Sequence, residues 1–449
     1  MEKNPLQQAL LNLPDNKPEA LVDDIFVPQL LNALNFELTE RVPQYVTGES
    51  KKTIDYALRK NTESDIFIHS RLNPSILLEL KGKDINLVAG SAQYHSTVKQ
   101  LKYGLLDSNC HSVQWGIITN SAYIQLFRKH GKTVYPATPC LNITHDNIVE
   151  IVADIKKRID HPPRALTVAI YNNKGGVGKT TTTANLAAVL SLKGYSVLVV
   201  DFDPNQQDLT KSLKIKTGKD SLYFYLEPKN KSVRHNISSL IQSCGLTNKK
   251  TGHSFKFDII PADESFAGSD MSEDKLRQKI RIDGLNKILD NLRSSYDYIL
   301  IDSPPNWRFF SASAVYAADV VLIPAKHNNI FSLENAAIAI KQFIPEVQEA
   351  RKNGGPIALP VFFNGENITE AARTNAYKAI DEIIKQNVKF NLRPYFYPRY
   401  TPASHNRYIF ELPSYAHIAN AAFSCYPAAY KDKIACQYYL ALAKEYFLQ

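Results

Sequence analysis

Apolar residues recur along this chain in two rhythms, separated by a break near residue 160. Before the break, Pro18-Glu19-Ala20-Leu21-Val22-Asp23-Asp24-Ile25-Phe26 opens a helical repeat that runs to Leu34, with proline and acid in its first turn. Short apolar runs at 54–58, 65–69 and 75–81 predict strands; 88–106 predicts a helix, and 115–119 and 124–128 two further strands. That order is α/β with a mixed sheet. At Lys156-Lys157-Arg158-Ile159-Asp160-His161-Pro162-Pro163-Arg164 the periodicity stops, and the proline pair breaks both helix and strand. Beyond it, runs at 166–171, 196–201, 257–260, 298–301, 320–323 and 357–363 are continuously apolar, as parallel strands covered on both faces must be. Helical segments fill the gaps, which predicts a doubly wound, mostly parallel sheet. The boundaries expected are an α/β domain over 1–160, a linker over 161–165 and a second α/β domain over 166–449.

Composition changes this picture little. A hydrophobic fraction of 44% with 22% charged residues is that of globular domains with real cores. Cys110, Cys140, Cys244, Cys425 and Cys436 form no CxxC pair, which argues against a disulfide framework and a thiolate metal site. The first residues lack a basic start and an apolar run, and no stretch of about 18 apolar residues exists. The expectation is a cytoplasmic protein without a membrane partner. The excess of 53 basic over 44 acidic residues points toward a polyanion such as nucleic acid.

Chemistry enters at Asn172-Asn173-Lys174-Gly175-Gly176-Val177-Gly178-Lys179-Thr180-Thr181, which joins the first strand of the second domain to a helix over 182–192. Such a loop turns backbone N–H groups inward around phosphate oxygens, and the helix N-terminus adds partial positive charge. Lys179 is placed to reach the β- and γ-phosphates of ATP and Thr180 to ligate Mg²⁺; Asn173 stands where the ordinary pattern has glycine. The next strand ends in Asp201-Phe202-Asp203-Pro204, and Tyr298-Ile299-Leu300-Ile301-Asp302 reads as a strand delivering a metal-holding acid.

With its second lysine, Lys174, the loop resembles the deviant phosphate loop of ParA-type partition ATPases. The resemblance implies that Lys174 crosses a homodimer interface to the partner's nucleotide, so that two subunits sandwich ATP. It further implies that Asp203 positions the attacking water, with Asp201 and Asp302 near the metal, and that Asn364, ending Phe362-Phe363-Asn364, contacts adenine. It spans about 165–449 and thins after Gln206. The cysteines do not suit an iron–sulfur role, and the tyrosine-rich face of 433–447 is expected to pack on the body rather than on a membrane.

In the first domain Asp55 opens a strand and Glu79-Leu80-Lys81 closes another. Two carboxylates at adjacent strand ends would hold Mg²⁺, and the lysine would orient water for phosphodiester attack. Glu19 would supply a third carboxylate. With Gln100-Leu101-Lys102-Tyr103 and Gly116-Ile117-Ile118-Thr119-Asn120, this string resembles the PD-(D/E)XK nuclease domain of type I restriction motor subunits over about 15–130. The departures are Ile54 in place of a proline-type lead, and Gln100 and Tyr103 one residue closer than usual. The implied roles are catalytic for Asp55, Glu79, Lys81, Glu19 and Gln100, in a restriction-endonuclease-like fold serving defence against foreign DNA.

ParA-like ATPases bind DNA without sequence preference. Here Arg351, Lys352, Arg373, Lys378, Lys385, Lys389, Arg393, Arg399 and Arg407 occupy the matching region, with tyrosines interleaved over 395–408. The combined expectation is an ATP-dependent homodimer that licenses a nuclease on DNA in a nucleoid-associated setting, with room for an accessory protein partner. The alternative is a positioning ATPase whose nuclease-like domain is inactive and docks DNA or cargo.

Overall fold

The computed structural model describes residues 4–14, 18–49, 51–216, 222–227, 237–247, 254–263, 273–366, 368–399, 406–420 and 425–449. The chain divides into two compact units, one of residues 1–162 with 352–355 and 447–449, the other of 163–351 with 356–446.

In the first unit a seven-stranded sheet runs in the order β1 (Arg41–Val46), β2 (Thr53–Leu58), β3 (Ile76–Leu80), β4 (Trp115–Thr119), β5 (Tyr123–His130) and β6 (Thr133–Pro136), with β7 (Leu141–Asn142) also on β5. All pairings are antiparallel except β3 with β4. A parallel pair needs a crossover, and the helix Ala92–Leu106 supplies it. Side chains alternate across β3, so Leu77 and Glu79 share the face that this helix covers. Ile76, Leu78 and Leu80 face the opposite core, built with residues 19–33 and the helix Ile148–Asp160. Residues 19–33 are helical throughout, with one wide π turn at Val22–Phe26.

Two local expectations are corrected. Residues 65–69 form no strand; Phe67–Ser70 is a single helical turn. Of its apolar residues Phe67 is buried and Ile66 exposed, so the run has no strand face to bury, and the Asn61 carboxamide caps the turn by accepting from Phe67 N at 2.8 Å. Strand β1, absent from the sequence reading, carries Pro43; as a sheet edge it tolerates the missing donor.

In the second unit the strands β8 (Leu166–Ile170), β9 (Val197–Asp201), β10 (Gln242–Thr247), β11 (Ser254–Ile260), β12 (Tyr298–Asp302), β13 (Val320–Leu322) and β15 (Ile357–Ala358) pair in the order β10-β11-β9-β12-β8-β13-β15. Only β10 with β11 is antiparallel. A smaller parallel sheet joins β14 (Pro324–Ala325), β16 (Phe362–Glu366) and β17 (Phe410–Pro413). The single strand expected at 357–363 is thus two, because Pro360 interrupts it and the chain moves between sheets. The helix Lys179–Leu192 buries eleven of its residues, with Leu186, Ala187, Ala188, Val189 and Leu190 buried in one unbroken run, so it is covered on all sides. The C-terminal helix Lys433–Tyr446 packs against it, with Tyr439 fully buried. Among the described residues no helix is long and apolar enough to cross a membrane.

Candidate functional sites

The second unit gathers its polar residues where the carboxyl ends of three central strands meet. Register sets Ile170, Asp201 and Asp302 side by side on β8, β9 and β12. The loop that leaves β8 holds Gly176 at φ +74° and Gly178 at φ +83°, the left-handed region open to glycine. A Cβ on Gly175 or Gly176 would meet nothing within 4 Å, so the loop encloses open space. Asn172 fixes the entry, its buried carboxamide donating to Pro324 O at 2.8 Å and Ser332 O at 3.0 Å. Asn364 fixes the exit, donating to Val177 O at 2.8 Å, Gly178 O at 3.3 Å and Thr182 Oγ1 at 3.2 Å. The structure therefore brings Asn364 to the loop, as a clamp on its backbone.

Lys179 is buried, and its ammonium donates to Asn172 O at 3.3 Å and Lys174 O at 3.1 Å. Burial lowers its pKa, while Asp302 and Asp203 oppose the change. Asp302 is buried with the Thr180 hydroxyl bonded to its carboxylate, yet its Oδ1 has no partner. Burial pushes the Asp302 pKa well up, and the neighbouring Asp201 adds to it. Asp201, pushed up to about 6 chiefly by burial, accepts from Thr210 N at 2.9 Å, Thr210 Oγ1 at 2.7 Å and Asp203 N at 3.3 Å. Both its oxygens are engaged, so in this arrangement it orders the chain after β9. Asp203 caps the following turn by accepting from Asn205 N and Gln206 N at 3.1 Å each. Lys174 and Thr181 flank the loop, and the Lys174 ammonium makes no hydrogen bond or ion pair among the described residues. An orphaned, desolvated carboxylate oxygen beside a threonine hydroxyl and a lysine is a donor set that fits a divalent cation with phosphates.

In the first unit the β2–β3 register pairs Tyr56 with Leu78, which sets Asp55 beside Glu79. Asp55 Oδ2 accepts from Leu80 N at 2.7 Å and Oδ1 from Gln44 Nε2 at 3.3 Å. Glu79 is 1% exposed; its Oε1 contacts Lys81 Nζ, and its Oε2 is buried without a partner. Burial pushes its pKa up to about 7, with Asp55 and Glu19 adding to the rise and Lys81 opposing it. Loss of water raises Glu19 as well, with Lys81 lowering it and Asp55 and Asp23 raising it. Glu19, Asp55, Glu79 and Lys81 thus form one electrostatic group. Asp23 joins it, one turn after Glu19, accepting from Tyr56 OH at 2.7 Å; its i+4 spacing from Glu19 is the signal in the sequence that could have found it. Gln100 lies exposed on the covering helix, in a cavity of about 800 Å³ that Glu79 also lines. Among the described residues no three His, Cys, Asp or Glu side chains are arranged to hold a metal ion. The fit here is of a pair, Asp55 and Glu79, with an orphaned oxygen.

The basic residues expected on DNA divide. Arg351 turns inward to Asp319 at 3.7 Å and donates to Ala318 O, which corrects its reading as a DNA contact. Arg373 is held by Glu411 at 3.0 and 2.9 Å, Arg399 by Glu445, and Arg407 by Asp381 at 3.0 Å. Lys378, Lys385 and Lys389 remain exposed. Tyr400 and neighbouring positions to 405 lie outside the described residues.

Comparison with known proteins concerns the second unit. A family model described as an AAA domain matches residues 165–355. The chain is 30% identical over 236 residues to the chromosome-partitioning ATPase Soj of Treponema pallidum, covering 51% of this chain and 86% of that protein. It is 29% identical over 246 residues to the sporulation initiation inhibitor protein Soj of Bacillus subtilis, covering 51% and 87%. Among solved structures, a Cyanothece McdA–ATP complex aligns at 20% identity over 64% of this chain and 98% of that one, with a TM-score of 0.47.

Proposed function

The chain belongs to the Soj/ParA family of P-loop ATPases, and from that premise we propose that it is an ATP-driven dimerisation switch carrying a metal-dependent phosphodiesterase. ATP occupies the loop of residues 174–181 with Mg²⁺ on Thr180 and Asp302, whose orphaned Oδ1 supports that placement. A metal held there would supply charge neutralisation for the phosphates. The chain's own groups do the rest: Lys179 holds phosphate, Asn364 keeps the loop's shape, and Asp203 aligns water. Lys174 is available to a partner's nucleotide, because nothing among the described residues of its own subunit engages its ammonium. The test is association measured by light scattering with ATP present. Wild type should dimerise and Lys174→Ala remain monomeric while still binding ATP; a Lys174→Ala dimer would refute the sandwich.

The second half of the proposal rests on Glu79. A carboxylate buried this deeply, next to Asp55 and Lys81 and with one oxygen unsatisfied, costs stability unless it serves a ligand. Mg²⁺ on Asp55 and Glu79 would polarise a phosphodiester. In this reading Lys81 holds the attacking water, Glu19 takes its proton and Gln100 orients the strand. DNA is the substrate favoured by the net charge of +9 and by Lys378, Lys385 and Lys389. A positioning ATPase with an inactive first unit is the second reading, favoured by the absence of a three-ligand metal cluster among the described residues. Metal-dependent cutting of plasmid that Asp55→Asn removes, with ATP hydrolysis unchanged, separates the two.

A further inference from the structure

On the helix side of Glu79 the first unit presents a groove with its own chemistry. Tyr103, on the helix Ala92–Leu106, is 57% exposed although its ring offers a large apolar face. Lys99, one turn earlier, holds its ammonium 5.7 Å from the ring centroid. Lys52, from the segment before β2, holds its own at 5.6 Å. Ring and cations line the cavity of about 800 Å³ together with Lys51 and Gln100, and Glu79, whose Oε2 has no partner, also lines it. Three exposed lysines answer only Asp107 among the acids lining the cavity besides Glu79, so the groove favours an anion. Its volume is in the range that takes small organic groups.

We propose that this groove binds single-stranded nucleic acid, one base stacking on Tyr103 while Lys52 and Lys99 take the flanking phosphates. The Tyr103 ring is exposed with two lysine ammoniums over it, and an incoming base takes their place on the π face while the long, exposed lysine side chains turn to its anionic linkages. A duplex hides its base faces in its own stack, so it gains from the lysines and nothing from the ring. The strand leads toward Glu79, and this direction rests on the phosphodiesterase reading above; the binding does not. The substrate class of the first unit is accordingly an unpaired strand, such as a melted or frayed end.

The experiment is fluorescence anisotropy of a labelled oligothymidylate with the full chain, in EDTA and without ATP, against a duplex of equal length. Tyr103→Ala should weaken single-strand binding roughly 5- to 150-fold, the loss of about 1–3 kcal/mol for one stacked base. Tyr103→Phe should keep the affinity, and duplex binding should not respond to either change. Lys52→Ala with Lys99→Ala should weaken binding and flatten its salt dependence. Photocrosslinking with an oligonucleotide carrying 5-iodouracil guards against strands held elsewhere on the chain: an adduct at Tyr103 supports the groove. Equal losses on single strand and duplex, or unchanged binding by Tyr103→Ala with no adduct at Tyr103, would overturn it. Tyr103-dependent binding without metal-dependent cutting would keep the groove and remove the phosphodiesterase reading. Cutting without Tyr103-dependent binding would do the reverse.

Discussion

Glu79 offers a measurable trace of a site built at the expense of stability. Its carboxyl rises from 4.5 to about 7 on folding, mainly through burial. Between those values the folded chain keeps a proton that the unfolded chain has released. The Glu79 contribution to stability is therefore largest below about pH 4.5, is lost as pH rises to about 7, and stays lost beyond. Ionisation in place costs about 3 kcal/mol at ~1.36 kcal/mol per decade, and water entering through the cavity brings the expected figure to about 1–3 kcal/mol. Glu79→Gln removes the charge while leaving an oxygen to accept from Lys81. Because β3 is a central, fully buried strand, its amides report opening of the whole unit. Hydrogen exchange of residues 76–80, followed by mass spectrometry in EDTA, should thus be slower in Glu79→Gln than in wild type by roughly 5- to 150-fold above pH 7. Near pH 4.5 the two should agree within about twofold. If Asp55 and Glu79 hold a metal as proposed, added Mg²⁺ should close the gap from the wild-type side. A gap of the same size at both pH values, or none, would refute the electrostatic account of this site.

Two further outcomes follow for the ATPase unit. Asp203→Asn should leave ATP-dependent dimerisation intact and slow ATP hydrolysis about 100-fold or more, read by phosphate release; an unaffected rate would remove Asp203 from water positioning. Gly178→Ala places a Cβ 2.4 Å from Asn364 Nδ2 at a φ of +83°, costing about 1–2 kcal/mol in backbone strain alone. Nucleotide affinity measured by calorimetry should fall sharply, because relieving the clash displaces the Asn364 clamp.

How much of this is legible in the sequence depends on how local each feature is. The phosphate loop reads directly, since a strand, a glycine-rich turn and a helix N-terminus lie within one short segment. Asp302 and Asp201 are legible as acids ending continuous apolar runs, but not their adjacency, which the β8–β9–β12 order creates. Only resemblance puts Asn364 near the nucleotide; its bonds to the loop backbone span more than 180 residues and leave no local mark. Asp55 and Glu79 are visible at strand ends and Asp23 by its spacing from Glu19, whereas the Tyr103 groove depends on how a helix covers the sheet. The run at 65–69 misleads because apolar content alone does not say which face it would bury. Pro360 is a visible breaker within the run at 357–363, yet the sequence does not show that the chain changes sheets there.

Whether the two units act together is tested directly by one assay. Supercoiled plasmid is incubated with Mg²⁺ or Mn²⁺, with and without ATP, using wild type, Asp55→Ala and Lys174→Ala. Wild type should cut in a manner that responds to ATP, Asp55→Ala should not cut, and cutting by Lys174→Ala should no longer respond to ATP. No metal-dependent cutting of plasmid, RNA or single-stranded DNA would contradict this and leave a positioning ATPase with a docking domain.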